Sequence, residues 1–245
     1  MNTSQTLEQL KSLRLNGMHE HYADILRMPA HDHPDTHNLI AMMTQSEMLY
    51  RTNRKTQIYV KDARFRYQAN VEGIDYHPDR SLDKNRVHTL ASCTFIEKGE
   101  NVIITGATGC GKSYLATALG YRACSLGYKT LYVNMPKLDE QLLMSEADAT
   151  KSRLLNRLSR THLLILDDFG LNPITQRLRL ALLQIMEDRY ERKSIIVTSQ
   201  LPFNTWYEYL GEPTLADAIM DRLSASANRI ELTGESLRKK YKQKS

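Results

Sequence analysis

Eight consecutive residues, Gly106-Ala107-Thr108-Gly109-Cys110-Gly111-Lys112-Ser113, have the types and spacing of a P-loop, a turn that wraps a triphosphate. Glycines at 106, 109 and 111 let the backbone aim its N–H groups inward at an anion, and the helix that follows, opening at Tyr114, adds a favourable dipole. Lys112 would reach the β and γ phosphates, and the Ser113 hydroxyl would ligate Mg²⁺. Cys110 reads as a tolerated variable position of the loop and not as a nucleophile. Further along, Leu163-Leu164-Ile165-Leu166-Asp167-Asp168 runs from apolar residues into two carboxylates. A central parallel strand buried on both faces delivers charge in this way, only at its carboxyl end. Asp167 would hold the Mg²⁺ shell, and Asp168 would take a proton from the water attacking the γ-phosphate. The expected chemistry is Mg²⁺-dependent hydrolysis of a nucleoside triphosphate.

Such groups need a rigid frame, and the flanking sequence supplies one. Asn101 to Thr105 reads as a short buried strand, and Tyr114 to Leu126 has apolar residues at helical spacing. Further strands are expected at 129–134, 163–167, 194–200 and 228–232, with helices at 82–92, 136–160, 174–192 and 214–226; Pro136 is well placed for a first helical turn. Alternating strands and helices require an α/β fold with a parallel sheet flanked by helices. Residues 1–70 read as a small helical domain: a first helix closed by Gly17, a second ending before Pro29, and a third from Asn38. That third helix carries Leu39, Met42, Met43, Ser46, Leu49 and Tyr50 on one face, with the paired methionines as core. The helical signal lapses over 71–78, which gives domains of 1–70 and 71–245. The histidine-rich stretch His31 to His37 lies between prolines and reads as an interhelix loop, not a metal site.

An apolar content of 41% with 25% charged residues is ordinary for a globular chain, and no apolar run is long enough to suggest a membrane span. The N-terminus lacks a basic region followed by an apolar core, and three cysteines do not make a disulfide framework. A cytoplasmic protein with no membrane partner is expected. The net charge of +5 equals the charge of the last eight residues, where Arg238, Lys239, Lys240, Lys242 and Lys244 meet no acid. A second basic segment carries Arg51, Arg54, Lys55, Lys61, Arg64 and Arg66 with Tyr50, Tyr59, Phe65 and Tyr67 between them. Cations interleaved with rings suit the phosphates and sugars of a nucleic acid.

The whole set resembles the AAA+ helper ATPases of insertion sequences, the IstB family, whose nearest relatives are DnaC-type helicase loaders. The resemblance runs essentially end to end. It is carried by Leu10-Lys11-Ser12-Leu13-Arg14-Leu15-Asn16-Gly17-Met18, by Ala63-Arg64-Phe65, by Gly99 to Gly106, and by Arg229 to Lys240. The resemblance implies an AAA+ P-loop fold and an ATPase that oligomerises on duplex DNA, with ATP sites at subunit interfaces, selects target DNA, and stimulates a cognate transposase in DNA transposition. The alternative is a helicase loader that prefers single-stranded DNA. It further implies that Gln200, at the tip of the strand beside the acidic one, occupies the sensor 1 position, where most relatives have Asn. Arg222, in Ala216 to Leu223, stands in the place of the arginine finger that acts on a neighbouring subunit's nucleotide. Lys137, Lys151, Arg153 and Arg157 fall in the region that contacts the DNA backbone in the initiator and loader branch, and the 1–70 domain would make DNA or oligomer contacts. Asp168 stands where most AAA+ proteins have Glu, and the chain leaves no room after Arg222 for the usual helical lid. Arg238 could replace the lid's sensing arginine or begin a DNA-binding tail; both remain open.

Overall fold

Short apolar runs alternate with helix-period segments, and this alternation folds as expected. The computed structural model describes residues 2–237, so Arg238, Lys239, Lys240, Lys242 and Lys244 lie outside the described residues. In chain order the elements are α1 (Thr3–Ser12), α2 (Asn16–Ile25), α3 (Thr36–Ala63), α4 (Lys84–Ala91), α5 (Thr94–Glu97), β1 (Asn101–Gly106), α6 (Lys112–Ser125), β2 (Thr130–Asn134), α7 (Met135–Ala147), α8 (Lys151–Arg160), β3 (Leu163–Phe169), α9 (Gln176–Arg189), β4 (Ser194–Ser199), α10 (Trp206–Leu210), α11 (Pro213–Ser224) and β5 (Ala227–Leu232). The five strands form one parallel sheet in the order β2-β3-β4-β1-β5. Packing divides the chain into Met1–Ile58 and Tyr59–Ser245, a division that falls inside α3. Among the described residues no helix is long and apolar enough to cross a membrane.

In the second unit β1 to β4 are buried on both faces because successive side chains feed opposite layers, while the edge strand β5 buries Ile230 and Leu232 and exposes Arg229 and Glu231. Val102, Ile104, Ile165 and Ile196 pack with Leu115, Ala118 and Leu119 of α6. Ile103, Leu164, Leu166, Ile195 and Val197 pack on the other side with Leu178, Leu182 and Ile185 of α9. The helices start where capping residues dictate. The Asn134 side chain accepts from the Lys137 N–H ahead of Pro136, Thr175 caps α9, and Glu212 caps α11. This arrangement brings the carboxyl ends of β1, β3 and β4 together, the place where open parallel sheets bind ligands.

The first unit departs from the sequence expectation in two ways. Gly17 does not close α1, which ends at Ser12 and turns through Arg14 at φ 59°; Gly17 lies in the first turn of α2. A Cβ at Gly17 would lie 2.7 Å from Cα of Glu47, so glycine is required for the approach of α2 to α3. The second departure concerns the α3 face. Its inward stripe is Met43, Ser46, Glu47 and Tyr50, so Met42 and Leu49 fall on its shoulders and are 44% and 60% exposed. Glu47 is buried in that stripe because it caps α2 from outside: its carboxylate accepts from Gly17 N at 2.7 Å and Met18 N at 3.2 Å, and Arg51 Nε donates to it at 2.7 Å. Burial raises the Glu47 pKa, but Arg51 and the two backbone N–H groups outweigh it and hold the carboxyl below its usual value.

Candidate nucleotide site and adjoining basic clefts

β1 delivers the P-loop to a cleft of about 230 Å³ lined by Thr108, Gly109, Gly111, Lys112, Ser113 and Tyr114, with Tyr67, Asp168 and Gln200 on its other walls. Gly109 and Gly111 adopt φ values of 84° and 95°, a region that residues with a Cβ rarely occupy. Gly111 caps α6 without any side-chain acceptor, so the first N–H groups of the helix remain available to an anion. Lys112 is 7% exposed, and its ammonium donates to the carbonyls of Gly106 and Ala107, each at 2.8 Å. Its charge is therefore held inside the loop. The Cys110 side chain is buried, in keeping with a packing role. Gln200 touches the loop directly: its Oε1 accepts from the Thr108 hydroxyl at 2.7 Å.

Asp167 is fully buried and surrounded by hydroxyls. Ser113 donates to its Oδ1 at 2.8 Å, the Thr198 hydroxyl donates to the same oxygen, and the Tyr132 hydroxyl donates to Oδ2. Burial, and then the bond to Asp167, push the Tyr132 pKa far up, which keeps it a donor. The donor set fits Mg²⁺, because a serine hydroxyl and a carboxylate are hard oxygen ligands standing side by side under a phosphate loop. Among the described residues no group of three or more His, Cys, Asp or Glu could hold a metal alone, so phosphate and water would supply the remaining ligands.

Asp168 follows on β3 but breaks its geometry. It adopts φ 62°, within a register irregularity between Leu166 and Phe169 where β3 pairs with β4. Its N–H donates to Thr198 Oγ1 at 3.2 Å, Asn134 Nδ2 donates to its Oδ2 at 2.8 Å, and Arg66 Nη1 lies 4.0 Å from the same oxygen. Burial and then the Asp167 charge raise its pKa, opposed by Arg66, Asn134 and Lys112. The result is a carboxylate more willing to take a proton than an exposed one.

The Arg222 side chain is not in this cleft. Asn101, at the opposite end of β1 from the P-loop, donates to the Arg222 carbonyl at 3.3 Å, and the guanidinium pairs with Glu187 at 3.3 Å. The candidate DNA-contacting cations are partly brought together. Arg64, Arg66, Lys137 and Arg157 line a cleft of about 760 Å³ that also contains Asn134 and Asp168. Arg153 and Arg157, with Lys129 and Arg160, line an adjoining cleft of about 720 Å³. Burial and then the neighbouring Arg64 charge lower the Arg157 pKa, so these cations repel one another. Lys151 is paired with Glu146 at 2.8 Å, and Lys61 is exposed on α3. Arg51, Arg54 and Lys55 are exposed on the first unit, with Arg51 turned onto Glu47. Sequence reasoning missed Tyr132 and Asn134 as site residues. The strand period that places positions 132 and 134 on one face beside Asp167 was the available signal.

Comparison with known proteins bears on the family and the fold. The description of the IstB-like ATP binding proteins matches residues 8–245. A Sinorhizobium fredii protein named as an insertion sequence ATP-binding protein is 39% identical, over 98% of each chain. A Pseudomonas aeruginosa protein named as the ATP-binding protein of the insertion sequence IS21 is 32% identical, over 96% of this chain and 89% of its own. Among solved structures, the DnaC helicase loader superposes with a TM-score of 0.56 at 20% identity, covering 67% of this chain and 97% of that one. AMPPCP-bound DnaA from Aquifex aeolicus gives 0.59 at 21% identity, covering 74% and 55%. The fold is therefore the AAA+ P-loop fold of these proteins, and the chain belongs to the IstB-like ATP binding protein family.

Proposed function

We propose that this protein is a Mg²⁺-dependent ATPase that oligomerises on duplex DNA, selects target sites, and stimulates a cognate transposase during transposition of an insertion sequence. The observation that carries the reading is Asp168, which belongs both to the nucleotide cleft and to the arginine-lined cleft beside it. A group that serves hydrolysis thus shares its surroundings with cations suited to a phosphate backbone. The insertion-sequence names of the relatives supply the transposition context.

In this mechanism the N–H groups of the P-loop and of the first turn of α6 hold the phosphates, and Lys112 neutralises charge that builds between β and γ. Ser113 and Asp167 would hold Mg²⁺, which when bound offsets phosphate charge. Tyr132 and Thr198 fix the Asp167 carboxylate. Asp168 accepts the proton of the attacking water, and Gln200 steadies the loop through Thr108. Arg222, remote from its own cleft, acts on the nucleotide of an adjacent subunit. Arg64, Arg66, Lys137, Arg153 and Arg157, together with the N-terminal helical domain over residues 1–70 and the basic tail, bind DNA through its backbone. Cytoplasmic location follows from that substrate. The test is phosphate release with Mg²⁺, measured alone and with duplex or single-stranded DNA at stated salt. Release that duplex stimulates supports the reading; absence of release, or stimulation by single strands alone, overturns it.

A further inference from the structure

Segment 71–78 reads in the sequence as a linker, and just beyond it the chain places a buried cation against the P-loop. Arg80 is 7% exposed. Its Nη2 donates to the Cys110 carbonyl at 2.5 Å and its Nη1 to the Asp75 carbonyl at 2.5 Å. Among the described residues no carboxylate forms an ion pair with it. A buried guanidinium that donates to neutral carbonyls and meets no carboxylate among the described residues is an arrangement that favours an anion nearby.

The chain after β5 closes the same frame. Thr233 N donates to the Arg80 carbonyl at 3.3 Å, the Thr233 hydroxyl donates to the Asp79 carbonyl at 2.7 Å, and Leu237 N donates to the Gly109 carbonyl at 3.1 Å. Two successive P-loop carbonyls, those of Gly109 and Cys110, are thereby held from outside. The C=O and N–H of one trans peptide point opposite ways. Fixing the Cys110 carbonyl on Arg80 therefore turns the Gly111 N–H away from Arg80, and Gly111 lines the nucleotide cleft. A charge-assisted bond at the carbonyl end also polarises the peptide unit and strengthens the donor at its other end.

We propose that Arg80 is a positioning residue for nucleotide binding: it orients and polarises the Cys110–Gly111 peptide toward the phosphates, and Leu237 holds the preceding peptide. This rests on residues 106–113 being the nucleotide site. The test measures ADP affinity of the folded full chain by calorimetry, alongside the unfolding midpoint without nucleotide, for wild type, Arg80→Gln, Arg80→Lys and Leu237→Pro. Arg80→Gln is expected to weaken ADP binding roughly ten- to hundredfold, the scale of a lost hydrogen bond to a charged group. Arg80→Lys keeps the charge and should recover most of that loss. Leu237→Pro removes one neutral donor at a half-buried position and should weaken binding by roughly two- to tenfold with little change in the midpoint.

A purely structural Arg80 would lower the midpoint in both Arg80 variants while ADP affinity stayed at the wild-type value, and that result overturns the proposal. Equal loss of affinity in Arg80→Lys and Arg80→Gln also overturns it, because charge would then be irrelevant. If Arg80→Gln does not fold, unchanged affinity in Leu237→Pro refutes the frame. Failure of the wild type to bind ADP would instead refute the nucleotide site itself, and the inference with it.

Discussion

Replacing Asp168 with Asn should move stability and turnover in opposite directions. In the native state burial and the Asp167 charge raise the Asp168 pKa, so its ionised form is disfavoured relative to the unfolded chain. A carboxyl whose folded pKa is raised costs nothing below its unfolded value, and the cost grows as pH rises from the unfolded to the folded value and is full above it. Asn carries no charge at any of these pH values. It keeps the short polar side chain that tolerates φ 62°. Removing one of two adjacent carboxylates should stabilise by about 0.5–1 kcal/mol, the range of ordinary charge optimisation. For a chain of this size that is a rise of about 1–4 °C in melting temperature. The rise should be full near about pH 8 and shrink as pH falls toward the ordinary carboxylate range. ATP affinity should persist, because Lys112, Ser113 and the loop are untouched, while turnover falls by roughly 10²- to 10⁴-fold, the scale of a lost general base. Differential scanning fluorimetry across pH, paired with phosphate release, reads both effects. Rapid turnover in the variant, or a melting temperature lowered at neutral pH, would refute the reasoning.

Three further outcomes follow from particular contacts. Tyr132→Phe leaves the ring in place but removes a donor from the buried Asp167 carboxylate, so it should cost about 1.5–3 kcal/mol, read by urea unfolding. No change would mean that Tyr132 does not support Asp167. Gly17→Ala puts a Cβ against the backbone of Ser46 and Glu47 and should destabilise the first unit by about 1–3 kcal/mol, read by hydrogen exchange there, with ADP affinity unaltered. Arg222→Ala should leave nucleotide binding near wild type and remove most hydrolysis, by roughly 10³-fold, with partial activity returning on mixing with Lys112→Ala subunits. A mixture that co-assembles and stays inactive would make Arg222 a structural partner of Glu187.

The candidate nucleotide cleft is legible in the sequence where its residues are contiguous. The P-loop and the strand leading to Asp167 are each contiguous, and burial on both faces leaves a short apolar run that turns to carboxylates only at its end. What escaped depends on contacts distant in sequence. Tyr132 and Asn134 lie in a run that reads as core, and only the pairing of β2 with β3 turns them toward the carboxylates. Arg80 was hidden because it falls between the lapse of helical signal at 71–78 and the helix expected from 82, although its side chain joins the Asp75 carbonyl to the P-loop. The α2 cap is invisible locally, since Glu47 lies on another helix. Gly17 looked like a helix stop because glycine commonly serves as one, while here it permits close packing. The positive φ of Asp168 has no signal in a strand that otherwise ends regularly.

The proposed ATPase that oligomerises on duplex DNA requires that the state of the nucleotide control the grip on the duplex. This requirement is tested most directly by fluorescence anisotropy of a labelled duplex titrated with wild type and Lys112→Ala, each with ATP, ADP or no nucleotide, at one stated salt concentration. The account predicts tight, length-dependent binding by wild type with ATP, weaker binding with ADP, and no gain from ATP in Lys112→Ala. Equal binding by wild type in all three conditions would contradict it.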